Sequence, residues 1–165
     1  MLPLADAAAT TRVGERLAAA VQGGDAIALV GDLGAGKTTL VAGLVAALGG
    51  GDAQSPTFSL VNEYPGGRLV VWHVDLYRID KPAELPELGL DEILGDPRGV
   101  VLVEWADKFA VMPADHLRLE LVHVPRVMDS GAPAEGPEGS TARTLTAAGT
   151  GPRGRALADA VLASA

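Results

Sequence analysis

Cysteine is absent from this chain of 165 residues, which excludes disulfides, thiolate metal centres and a cysteine nucleophile, and says little about compartment. Aromatics are scarce, at 4%, and all of them fall between Phe58 and Phe109. No apolar run reaches the length of about eighteen residues that would suggest a membrane span. The apolar fraction of 48% is swollen by alanine. The opening MLPLADAAATTR lacks the basic stretch of a signal peptide, so the expectation is a soluble, cytoplasmic protein with no membrane partner. Positive charge is also in short supply. Thirteen Lys and Arg stand against 21 Asp and Glu, for a net charge of −8, and no basic block forms a stripe. A phosphate backbone would be repelled at long range, which argues against autonomous nucleic-acid binding.

What is present reads as one α/β domain over 1–165. Val13, Leu17 and Val21 recur at helical spacing ahead of Gly23 and Gly24, marking a first helix. AIALV (26–30) is a buried strand, and a helix over 38–48 carries Leu40, Leu44 and Leu48 on one face. RLVVWHVD (68–75) and GVVLVEW (99–105) are further strands, and PAELPELGLDEIL between them predicts short helices split by Pro86 and Gly89. HLRLELVHV (116–124) alternates strictly, as a half-exposed antiparallel strand does. ARTLTAA (142–148) is its hairpin partner, and PRGRALADAVLA a closing helix with Pro152 in its first turn. The intervening stretch 126–141 is rich in Gly, Pro, Ser and Glu and has little to bury, so it is expected to be a flexible loop. Strands alternating with helices predict a layered α/β fold with a mostly parallel central sheet and an antiparallel C-terminal hairpin.

Between the first buried strand and its helix lies GDLGAGKTT (31–39), which fits the phosphate-loop pattern G-x-x-x-x-G-K-[ST] at Gly31, Gly36, Lys37 and Thr38. Glycines let the backbone wrap phosphate oxygens with successive N–H groups pointing inward, and the helix that follows adds the positive end of its dipole. Lys37 reaches the terminal phosphates and Thr38 offers a hydroxyl to Mg²⁺.

Such a loop needs an acid to hold the metal or to aim water. Glu104 follows four apolar residues in VVLVE, and Asp75 ends LVVWHVD. In a parallel sheet both carboxylates emerge at the edge that bears the loop. Trp72 and Phe109 are expected in the core, whereas Trp105, directly after Glu104, is a candidate functional or partner-facing ring. His73, His116 and His123 lack metal-ligand spacing and read as structural. Three functional classes share this loop. A small-molecule kinase is expected to carry several arginines near the phosphates, and here Arg78 is the only one close to a site motif. A GTPase switch is expected to carry N-K-x-D, which the sequence lacks. An ATPase acting on a partner is the third class.

Taken together, GDLGAGKTT, SPTFSLVNEY (55–64), HVDLYR (73–78), ELPELGLDEIL (84–94) and VEW (103–105) resemble the TsaE family in order and spacing. The resemblance implies a P-loop fold and a Mg²⁺-dependent ATPase that binds ATP or ADP. It implies an accessory role beside a TsaB–TsaD pair that makes threonylcarbamoyladenosine in tRNA, with tRNA reached only through that complex. It further implies nucleotide contacts at Gly34, Ala35, Gly36, Lys37, Thr38 and Thr39, Mg²⁺ at Thr38 and Glu104, and essential roles for Asp75 and Trp105. Ser55, Thr57 and Phe58 would belong to a switch that senses the terminal phosphate. The long 126–141 segment departs from the family, in which this connection is short.

Overall fold

The computed structural model describes residues 1–56, 59–65, 67–124 and 142–163. The expected loop at 126–141 and two of the switch residues, Thr57 and Phe58, lie outside the described residues. The chain opens with a short strand, β1 (Leu2–Leu4), and then enters helix α1 (Ala7–Ala20). Asp6 caps this helix by accepting the Ala9 N–H at 2.7 Å, satisfying one of the donors a helix start leaves open. At its other end the Arg68 guanidinium donates to the carbonyls of Ala18 and Val21.

Strand β2 (Ala26–Val30) is buried throughout and feeds helix α2 (Lys37–Leu48). The expected Leu40, Leu44 and Leu48 are all buried, and Gly49 ends the helix in the left-handed conformation, φ +87°. Strands β3 (Val61–Tyr64), β4 (Val70–Asp75), β5 (Gly99–Glu104), β6 (Leu117–His123) and β7 (Arg143–Gly149) complete the sheet, and helix α4 (Pro152–Leu162) closes the described chain.

Between β4 and β5 lie a 3-10 helix, Pro82–Leu88, and the short helix α3 (Leu90–Ile93). Here one expectation is corrected. Gly89, at φ +63°, separates the two helices, but Pro86 sits inside the first rather than splitting it. None of that helix's residues is buried, so the carbonyl that proline's missing N–H leaves without a donor is not sealed in a core.

The sheet runs β1-β7-β6-β2-β5-β4-β3. Its four central strands, β6, β2, β5 and β4, are mutually parallel, while β7, β1 and β3 pair antiparallel at the flanks. Strand β6 is therefore antiparallel only toward β7 and parallel toward β2. It still buries Leu117, Leu119 and Leu121 while Arg118 and Glu120 remain partly exposed. On one face, Ile27, Leu29, Leu102 and Leu119 pack with Val13 and Leu17 of α1, Leu44 of α2 and Leu157 of α4. On the other, Trp72, Val74, Val101 and Val103 pack with Leu76, Ile79 and Leu90. Continuous apolar strands such as AIALV and GVVLV follow from burial on both faces. The expected core placement of Trp72 holds, and Phe109 packs at the edge of the same cluster.

Candidate functional site

Five polar or charged residues are buried among the described residues: Thr10, Asp25, Lys37, His73 and Glu104. Asp25 is matched by Arg153, whose guanidinium lies 2.6 Å from its carboxylate. Lys37, His73 and Glu104 converge instead on one place, at the C-terminal ends of the central parallel strands, where open α/β sheets form their crevices.

Register brings the groups together. Asp75 at the end of β4 pairs with Glu104 at the end of β5, and Glu104 pairs in turn with Leu29 of β2, one residue before that strand ends. The glycine-rich loop leaves β2 through Gly31, at φ +141°, where a Cβ would stand 2.3 Å from the Leu121 carbonyl. Only glycine fits this close approach. Gly36 precedes α2 in the left-handed conformation, φ +104°.

Lys37 Nζ donates to the carbonyls of Gly31 and Asp32, at 2.6 and 3.0 Å, and lies 4.3 Å from the centre of the Trp105 ring. Thr38 Oγ1 donates to Glu104 Oε1 at 2.9 Å, and His73 Nε2 lies 2.8 Å from the same oxygen. Asp75 Oδ1 accepts the Tyr77 N–H at 2.9 Å, while the Asp75 N–H donates to the Leu60 carbonyl. Trp105 stacks at a tilt on Tyr77, ring centres 5.1 Å apart, and holds φ +58°. That conformation is costly for a bulky residue and typical of functional positions. Its N–H donates to Leu29 and its carbonyl accepts from Lys108. Lys108 Nζ in turn donates to the carbonyls of Leu76, Tyr77 and Ile79, bracing the turn that follows Asp75.

Burial lowers the Lys37 pKa from its ordinary value, against the opposing pull of Glu104, Asp75, Asp32 and Asp107. Burial likewise raises the Asp75 pKa; the Tyr77 N–H opposes that shift and Glu104 adds to it. A buried cation and a carboxylate made less acidic, facing one cleft, make that cleft the candidate functional site. The cavity they share has a volume of about 370 Å³ and is lined by Gly34, Gly36, Lys37, Thr38 and Thr39 from the loop and helix start, by Asp75 and Glu104, and by Ser55, Leu60, Arg78 and Trp105. Ala35 is not among the lining residues, its methyl being buried in the core.

Two residues enter that sequence spacing did not reveal. His73, read as structural, has a ring nitrogen on Glu104. Arg78 is not the only arginine near the loop, because Arg143 Nε donates to the Ala35 carbonyl at 2.8 Å. Strand pairing places both: His73 opens HVDLYR, which gives no sign of this contact, and Arg143 belongs to none of the site motifs.

The model of the family described as Threonylcarbamoyl adenosine biosynthesis protein TsaE matches residues 4–128. The chain belongs to the TsaE family. The TsaE protein of Nostoc sp. (strain PCC 7120) is 40% identical over 124 residues, covering 73% of this chain and 76% of that protein. The TsaE protein of Synechocystis sp. (strain PCC 6803) is 42% identical over 115 residues, covering 67% and 73%. The crystal structure of Bacillus subtilis YdiB superposes with a TM-score of 0.74 at 29% identity, over 98% of this chain and 92% of that one. The mixed seven-stranded sheet with its parallel centre is thus the P-loop fold of TsaE, a family that serves the biosynthesis of threonylcarbamoyladenosine in tRNA. No described helix is long and apolar enough to cross a membrane.

Proposed function

We propose that this TsaE chain binds and hydrolyses ATP with Mg²⁺ and acts in tRNA modification as the accessory ATPase of a TsaB–TsaD complex. The observation that carries the reading is the meeting of Lys37, Thr38, Asp75 and Glu104 in one cavity beside a glycine-rich loop. Thr38 and Glu104 present hard oxygen donors 2.9 Å apart, a set that suits Mg²⁺, which takes few protein ligands and fills its remaining positions with water and phosphate oxygens. The ion would polarise the phosphate and offset charge that develops on it.

The protein groups divide the work. The loop amides and the start of α2 bind the phosphate anion. Lys37 leaves the Gly31 and Asp32 carbonyls for the terminal phosphates, and its burial makes that exchange favourable, since a phosphate compensates its charge better than two carbonyls do. Glu104, held by Thr38 and His73, anchors the metal edge of the site. Asp75, with its raised pKa, orients the attacking water or the segment that senses hydrolysis. Ser55 and Trp105 line the same cavity, with Thr57 and Phe58 following Ser55 in sequence, and these four are proposed as the switch and partner-facing residues.

Titration calorimetry with ATP and ADP, with and without Mg²⁺, tests the reading. Wild type binds both, and Lys37→Ala weakens ATP by more than about tenfold, or 1.4 kcal/mol. Unchanged ATP affinity in Lys37→Ala overturns it.

A further inference from the structure

We propose that Arg143 is a positioning residue of the nucleotide site, clamping the outside of the phosphate loop so that its amides are aimed before a nucleotide arrives. The proposal rests on the nucleotide reading of the loop, and it adds to that site a residue from beyond the segment that matches the TsaE family model, which ends at 128.

The contacts are specific. Arg143 Nε donates to the Ala35 carbonyl at 2.8 Å and Nη2 to the Gly34 carbonyl at 3.3 Å. A planar guanidinium thereby holds two successive peptide units. In a trans peptide the C=O and N–H point in opposite directions. Holding the Gly34 carbonyl outward accords with the Ala35 N–H turning inward to the Asp32 carbonyl, which it reaches at 3.1 Å. Holding the Ala35 carbonyl in the same way directs the Gly36 N–H away from Arg143, at the start of α2.

The loop has unusual need of such a clamp. Gly34 and Gly36 sit at φ +77° and +104°, and either peptide can flip at low cost when nothing restrains it. Lys37 also grips this loop, through the Gly31 and Asp32 carbonyls, but it is the cation that must turn to a phosphate. Arg143 is free of that duty and can keep its grip in both states. Its own footing is firm: as the first residue of β7 it pairs with His123 of β6 on one side and Leu4 of β1 on the other. The close fit extends to Gly36, where a Cβ would stand 3.2 Å from Arg143 Nε and 3.4 Å from Thr10 Cγ2. A loop ordered in advance loses less entropy on binding, and that difference adds to affinity.

The test compares Arg143→Met, which keeps the stem and removes the donors, with Arg143→Lys, which keeps charge but loses the planar fork. Calorimetry with ADP and ATP is paired with NMR of the loop glycine amides and with thermal melts. We expect Arg143→Met to weaken ADP and ATP alike by about tenfold, because the loop serves both, and Arg143→Lys to recover only part of the loss. We also expect the amides of Gly34 and Gly36 to shift or broaden in ligand-free Arg143→Met. Wild-type affinity together with unshifted glycine amides in Arg143→Met overturns the proposal. Should that variant fold poorly, Arg143→Lys decides on the same readouts: intermediate affinity with shifted amides supports the clamp, and wild-type values overturn it. If wild type itself binds no nucleotide, the nucleotide reading fails, and the ligand-free glycine amides alone decide whether Arg143 positions the loop.

Discussion

Glu104 Oε1 receives both Thr38 and His73, so the orientation of one carboxylate depends on two elements, the first turn of α2 and the middle of β4. His73 is wholly buried and its Nδ1 has no partner among the described residues, an arrangement that suits Nε2–H directed at the carboxylate. Replacing it by Phe leaves Glu104 without one of its donors; Gln, whose amide nitrogen reaches a similar place, keeps one. Mg²⁺-dependent nucleotide binding is therefore expected to fall several-fold in His73→Phe and less in His73→Gln, measured by titration at varied Mg²⁺. The two acids should separate in the same way. Glu104→Ala is expected to blunt the Mg²⁺ dependence of binding, whereas Asp75→Ala keeps binding and loses turnover by roughly 10² or more. The reverse pattern would exchange their roles. Asp75 also makes a prediction about stability. Its pKa is raised in the folded protein, chiefly by burial, so the folded state holds that proton more tightly than the unfolded chain does. The penalty for ionised Asp75 is then absent below its ordinary value of 3.8 and fully present above the raised one. Asp75→Asn should melt above wild type at neutral pH, and the difference should shrink as pH falls toward 4.

Helices α1 and α2 approach so closely that their contact has no room for side chains at two glycines. A Cβ on Gly14 would stand 2.1 Å from the Leu40 carbonyl, and one on Gly43 would stand 2.3 Å from the Thr11 carbonyl. Either helix must move to admit a methyl group, and α2 carries Lys37 and Thr38 on its first turn. Gly14→Ala and Gly43→Ala are each expected to lower stability by roughly 1–3 kcal/mol and to weaken nucleotide binding from a distance, checked by urea melts alongside titration. The glycines at 14 and 43 carry no signal in sequence beyond interrupting a helical pattern. By contrast, β2 and β5 are legible because burial on both faces makes them continuous apolar runs, and the phosphate loop is legible because its chemistry is local. The strand-end positions of Asp75 and Glu104 are readable for a related reason: each closes a largely apolar strand. Strands β1 and β3 span three and four residues, too short for a period to show. Arg143 lies 108 residues from Ala35, and His73 lies 31 from Glu104. Only the order and register of the strands bring these pairs together, and no spacing rule in a single sequence encodes that.

At the scale of the whole molecule, charge and the mouth of the cleft argue for dependence on a partner. With a net charge of −8, the chain is expected to bind tRNA weakly at physiological salt when alone and to meet it through the complex. Around the cleft, Leu33 and Tyr77 are exposed, at 73% and 49%, and both line the proposed nucleotide cavity together with Trp105. Apolar and aromatic groups presented beside a phosphate site suit a surface that a second protein covers. Hydrolysis needs a positioned cation or water-orienting group at the terminal phosphate. Among the described residues Arg78 is the arginine that lines the cavity, Arg143 being engaged on the loop carbonyls and Lys108 on the turn after Asp75, and no glutamine follows Glu104. P-loop enzymes in which such a group is absent or not yet well placed turn over slowly until a partner supplies or positions it, a difference of roughly 10³ to 10⁵ in rate. Steady-state phosphate release should therefore be slow for the chain alone and rise steeply when TsaB and TsaD homologues are added. Trp105→Ala, which removes the ring shared by Lys37 and Tyr77, should lose most of that rise while still binding ADP. Rapid hydrolysis by the isolated chain, indifferent to the partners, would mean that its catalytic groups are complete without them.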